Sequence, residues 1–112
     1  MLYLYKIEKN MSDDKLMVRR LVLDILKPFD PELHIVATEI INRCNISKDI
    51  SVNLTVYEVD KLTQTVKIII EGENLDFDEI QEILNSMNCI THSVDQVVAG
   101  KKIVEDIDTP QD

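Results

Sequence analysis

The chain has 112 residues, 45% of them hydrophobic and 29% charged, with a formal net charge of −9. That length suits one domain built round one core. The charge argues against binding along nucleic-acid phosphates, which needs clustered Lys and Arg, and against docking on an anionic membrane surface. It is compatible with divalent cations, with basic partners or simply with solubility.

No apolar run approaches the roughly 20 residues that span a bilayer. The opening "MLYLYKIEKN" has no charged leader ahead of its apolar part and no small-residue cleavage site, so the expected location is the cytoplasm. Cys44 and Cys89 form no CxxC pair, which leaves neither a zinc ribbon nor a thioredoxin motif.

Residues 1–16 alternate weakly and then fall into the polar "KNMSDDK", so they are expected to be an appendage to a domain spanning 17–100. "MVRRLVLDILK" (17–27) is a central strand. Leu21, Leu23 and Ile25 share one face; Arg20, Val22, Asp24 and Leu26 share the other. "PFDP" ends it, with Asp30 expected as N-cap and Pro31 as the first helical residue. The helix "PELHIVATEIINRC" lines up Leu33, Val36, Ala37, Ile40 and Cys44 at helical spacing.

In "ISVNLTVY" (50–57), Ile50, Val52, Leu54 and Val56 point in. A hairpin through "EVDKLTQ" leads to "TVKIIIEG", with Val66, Ile68 and Ile70 inward. A second helix begins near Asp76, with Phe77, Ile80, Leu84 and Met87 as its buried stripe and acidic residues in its first turn, which suit the helix dipole. "CITHSVDQVVAG" is the last core strand.

The order βαββαβ with right-handed crossovers predicts an α+β, ferredoxin-like sandwich: a four-stranded antiparallel sheet ordered 4-1-3-2, both helices on one face. Beyond Gly100 the segment 101–112 carries Ile103, Val104 and Ile107 ahead of an acidic tail. These residues are expected to form a short extra strand. Little of the chain's own core is left for them to cover, so a neighbouring copy is the economical partner, and a repeated head-to-tail contact closes a ring.

"LVLDILKPFDPE", "LDFDEI" and above all "HSVDQVVAGKKIVEDIDTPQD" resemble the archaeal domain-of-unknown-function family 211, over about Met17 to Asp112. The resemblance implies a ferredoxin-like fold, an archaeal cytoplasmic setting and ring-like homo-oligomers. It supplies no catalytic residues. "ILKPFDPELHIVATEI" also looks like the opening of the PII signalling proteins. Their nucleotide site needs a long loop between the second and third strands and a glycine-rich phosphate loop, whereas this chain has the short "EVDKLTQ" and only two glycines, Gly72 and Gly100.

The topology sends Lys27, Asp30, His34, Glu58, Asp60, Cys89 and His92 to one end of the sheet, and Cys44, Asp49, Glu71 to Glu82 and Asp95 to the other. "EGENLDFDE" gathers acids with no base among them, so Glu73, Asp76, Asp78 and Glu79 are candidate ligands for calcium or magnesium. The plainer reading is a capped helix start with a solvated acidic turn. His34, Cys89 and His92 are an alternative transition-metal set, set against a surface-helix histidine and a half-buried strand histidine.

No GxSxG, HExxH or P-loop occurs. Cys89 and His92 stand three apart on a strand and so face opposite ways. The uncovered sheet face carries Arg20, Asp24, Ser51, Asn53, Thr55, Tyr57, Lys67 and Ile69. With one aromatic residue it suits a subunit contact or a small polar ligand better than RNA. The leading expectation is therefore a non-enzymatic homo-oligomer that binds a small ligand or ion at subunit interfaces, in the manner of regulatory ACT domains. The alternatives are a divalent-metal protein using the acidic loop and an enzyme with a site shared between subunits.

Overall fold

The structure is a computed structural model and describes residues 17–107. Its elements follow the expected order: β1 (Val18–Pro28), α1 (Leu33–Arg43), β2 (Ser51–Val59), β3 (Thr63–Glu71), α2 (Phe77–Ser86) and β4 (Ile90–Ala99). The four strands form one antiparallel sheet ordered β2-β3-β1-β4, the predicted order read from the other edge. The appendage expected at 1–16 lies outside the described residues, as do residues 108–112.

Alternation in the central strands builds the core. Leu21, Leu23 and Ile25 of β1 and Val66, Ile68 and Ile70 of β3 turn to the same side and are buried. Val36 and Ile40 of α1 and Ile80, Ile83 and Leu84 of α2 close over them. The inward residues of β2, Val52, Leu54 and Val56, pack on this cluster but remain half-buried, because β2 is an edge strand.

The elements depart from expectation in four places. Helix α1 starts at Leu33, with Glu32 at the N-cap and no side-chain cap bond, so Asp30 does not cap it. The hairpin is tighter than "EVDKLTQ" suggests, because β2 and β3 extend until Asp60 N–H donates to Thr63 O at 2.8 Å. Phe77 is 38% exposed rather than buried. Leu75, in the connection just before α2, fills the core at that end, and Ile83 completes the helix's stripe. Finally, 101–107 form no strand: within one chain the run finds no ladder to join.

Two further features pin the chain ends of the core. Asp76 caps α2 as expected, its side chain accepting from Glu79 N–H. Gly72 sits where strand β3 enters that connection. A Cβ there would lie 2.8 Å from Lys48 O and 2.8 Å from Leu75 Cδ2. Lys48 O cannot retreat freely, since it accepts from Glu73 N–H at 2.9 Å. Gly72→Ala is therefore expected to cost about 1–3 kcal/mol through overpacking, read as a fall in the urea midpoint; an unchanged midpoint would mean the loop gives way at no cost.

Candidate functional site

Helices cover one face of the sheet. On the other face the ladder sets Arg20 across from Glu71, Val22 between Ile69 and Gln96, and Asp24 between Lys67 and Ser93. Above them is a depression of about 480 Å³ whose charged lining is Arg20, Lys67, Glu71 and Asp95 and whose apolar floor is Val22 and Ile69. Smaller hollows lie toward β2 at Ser51 and Asn53 and toward the hairpin end at Asp24, Glu58 and His92. The mixed polar face read from the alternation thus carries several open depressions.

Arg20 organises this face. Its Nε donates to Glu71 Oε2 at 2.7 Å and its Nη1 to Gln96 Oε1 at 3.2 Å. Its outer edge meets Glu105 fork to fork, Nη1 to Oε1 at 3.0 Å and Nη2 to Oε2 at 2.9 Å. This two-bond geometry is the strong form of Arg–carboxylate pairing. The Glu105 and Glu71 bonds raise the guanidinium pKa above its ordinary value, and the bond from Arg20 lowers that of Glu105. Lys67 Nζ stands 5.7 Å from the centre of the Tyr57 ring, a cation–π contact on the same face.

The tail reaches Arg20 because its root is tied down. Gly100, at φ 118°, makes the turn and its N–H donates to Met17 O at 2.7 Å. Arg19, on the next position of β1, donates from Nε to Gly100 O and from Nη2 to Lys101 O, both at 2.8 Å. Of the expected interface residues, Ile103 is half-buried, whereas Val104 is 64% and Ile107 77% exposed.

The acidic loop is used differently from a cation site. Asp76 Oδ1 accepts from Glu79 N–H at 2.8 Å. Glu79 Oε2 accepts from the N–H groups of Asn45 at 2.6 Å and Ile46 at 2.8 Å; its Oε1 accepts from Ser47 N–H and Ser47 Oγ, both at 2.9 Å. The buried Ser47 hydroxyl in turn accepts from Asp76 N–H at 2.9 Å. Two of the four candidate ligands are thereby occupied by N–H donors, while Glu73 and Asp78 stay exposed. Among the described residues no three His, Cys, Asp or Glu side chains gather as a metal site would require. The set Glu73, Asp76, Asp78 and Glu79 is not assembled.

Neither is the set His34, Cys89 and His92. His34 is exposed on α1, 3.8 Å from Glu32. Cys89 lies fully buried in the core on the helix side, and His92 faces the opposite side of the sheet, lining a hollow with Asp24 and Leu26. Both cysteines are free. Burial, helped by the charge of Glu79, pushes the Cys44 thiol up to about 11. Burial also raises that of Cys89, against the opposing charge of Lys27. Neither thiol is a ready nucleophile at neutral pH.

Residues 19–112 match the domain-of-unknown-function family 211, described as "Uncharacterized ArCR". An uncharacterised protein of Methanocaldococcus jannaschii is 56% identical over 95 residues, which is 85% of this chain and 95% of that relative. The chain belongs to this family. The family match takes in all of the sheet but Val18, together with the acidic clamp and both ends of the Arg20–Glu105 pair. Among the described residues no helix is long and apolar enough to cross a membrane.

One further group was not singled out by its environment in the sequence. Lys27 is 1% exposed, and its ammonium donates to Pro28 O at 2.7 Å, Gln64 Oε1 at 2.9 Å and Phe29 O at 3.3 Å. It follows the inward positions 21, 23 and 25, and that parity is the signal for its burial.

The Glu79 clamp makes acid stability testable. Burial works against its ionisation, but the N–H donors of Ile46, Ser47 and Asn45 and the Ser47 hydroxyl outweigh it and hold the carboxyl at about 2, against an ordinary 4.5. A depressed pKa contributes stability that is present above the ordinary value and lost as pH falls from about 4.5 toward 2. Glu79→Gln is expected to cost about 1–2 kcal/mol at pH 7 and to flatten the pH dependence across that window. Urea unfolding at pH 7, 4.5 and 3 measures both; parallel curves for the two proteins would remove the assigned role.

Proposed function

We propose that the protein is a non-enzymatic, self-assembling cytoplasmic protein that takes a small polar ligand or ion on its open sheet face, near subunit boundaries. The observation that carries this is the condition of the two sheet edges. Among the described residues neither β2 nor β4 has a strand on its outer side. Val94 and Val97 of β4 pair with Leu23 and Leu21, which directs them to the helix side, yet they are 44% and 55% exposed.

The strand directions suit a repeating contact. β2 runs parallel to β1, and β4 runs opposite to both. Two copies set side by side with their helices on the same side would therefore bring β4 of one against β2 of the next as an antiparallel pair. Such a contact satisfies both unpaired edges. Val94 and Val97 would meet the half-buried Val52 and Leu54 of the neighbour and extend the core across the boundary. The contact is head-to-tail, so it closes into a ring when the rotation per copy permits. Val104 and Ile107 would add apolar surface beside the same edge. No specific observation favours the divalent-metal or shared-active-site alternatives.

Native mass spectrometry of the full chain is expected to show a closed oligomer, and truncation after Gly100 to reduce it to monomers or small species. A monomeric full-length chain would overturn the proposal. A truncated chain that keeps the large assembly would remove the tail from it.

A further inference from the structure

The Arg20–Glu105 pair is built like an occupied carboxylate site. The inner side of the guanidinium is committed to the sheet through Glu71 of β3 and Gln96 of β4. Arg20 lines the depression, and the group in its outer fork comes from a segment with no regular secondary structure. Glu105 is 65% exposed, whereas Arg20 is 16% exposed. The acceptor is therefore displaceable and the donor is fixed. The two-bond geometry favours a carboxylate in this fork, and the 65% exposure of Glu105 gives a free carboxylate access to compete for it.

The rest of the lining narrows the class of competitor. With Glu105 withdrawn, Arg20 and Lys67 face Glu71 and Asp95, so the charges of the depression cancel. A dianion gains from the two cations but meets the two acids. A ligand with one carboxylate and one ammonium finds a partner for each: the carboxylate on the Arg20 fork, the ammonium toward the acids. Val22 and Ile69 offer an apolar floor for its carbon skeleton. Lysine in place of Arg20 would keep the charge and lose the fork.

We propose that this depression binds a small zwitterionic carboxylate of the α-amino-acid class, and that Glu105 is a tethered stand-in for its carboxylate that must leave before the ligand enters. The inference rests on the open face being the ligand surface of the proposed function, and it adds the ligand class and the gate. A tethered group competes at an effective concentration in the millimolar range, so removing it sharpens binding of free ligand.

The test is isothermal titration of wild type, Glu105→Ala and Arg20→Lys with a panel of free α-amino acids, each paired with its decarboxylated amine. At least one amino acid is expected to bind Glu105→Ala about tenfold tighter than wild type, its amine not to bind, and Arg20→Lys to lose the binding. Circular dichroism checks the fold, and Glu105→Gln serves as a second, less disruptive release of the tail. Equal affinity for wild type and both Glu105 variants overturns the gate; binding of the amines, or of no amino acid by any variant at 10 mM, overturns the site. Native mass spectra of the same samples separate this from the assembly reading: an intact oligomer without binding sinks the inference alone, and a monomer with binding sinks the assembly alone.

Discussion

Alternate residues of the central strand β1 belong to different surroundings, and most of the structure follows from that. Leu21, Leu23, Ile25 and Lys27 go under the helices; Arg20, Asp24 and Leu26 face the uncovered side. A strand can serve two such environments only because successive side chains point to opposite faces. A shift of one residue in its pairing with β3 or β4 would exchange the two sets, putting Arg20 and Asp24 into the core. The register is therefore fixed by the cost of burying charge without partners. Lys27 shows what satisfying that cost takes: an inward ammonium is accepted because three oxygens meet its three donors.

The acidity of the chain is spent in more than one way. Asp76 and Glu79 do structural work, satisfying the N–H groups left open at the start of α2 and in the turn after α1. The Glu79 clamp joins the two helices at a point where backbone would otherwise need solvent. Glu71 and Glu105 neutralise Arg20. Glu73 and Asp78 remain on the surface. A carboxylate count therefore says little about metal binding until the donors already in place are counted with it.

The fold was legible because it is written in period. β1 and β3 alternate without a fault across their inward positions, and α2 repeats its apolar residues at helical spacing. The capping role of Asp76 was legible too, since Glu79 follows it by three. The donors to Glu79 were not: backbone N–H groups at 45–47 carry no side-chain signature, and the loop that aims them is set by tertiary packing. The Arg20–Glu105 contact joins residues 85 apart in sequence, which no local pattern can register. The end of the sheet at which a residue falls was correct for His34, Cys89 and His92, yet the sheet itself separates Cys89 from His92. Placement by end lacks the second coordinate, the face.

The grip on the tail uses that same second coordinate. Arg19 and Arg20 are neighbours on one strand, so they leave it on opposite sides. Arg19 takes two backbone carbonyls, Gly100 O and Lys101 O, and so holds the root of the tail whatever side chains follow. Arg20 takes a side chain, Glu105, and so holds the tail by a group whose charge can be exchanged for another of the same shape. Main-chain anchoring sets where the tail begins; side-chain pairing sets where it lies. The two grips are separate: the root of the tail is held beside the β1–β4 ladder by main-chain carbonyls, independently of the side-chain pair that places Glu105.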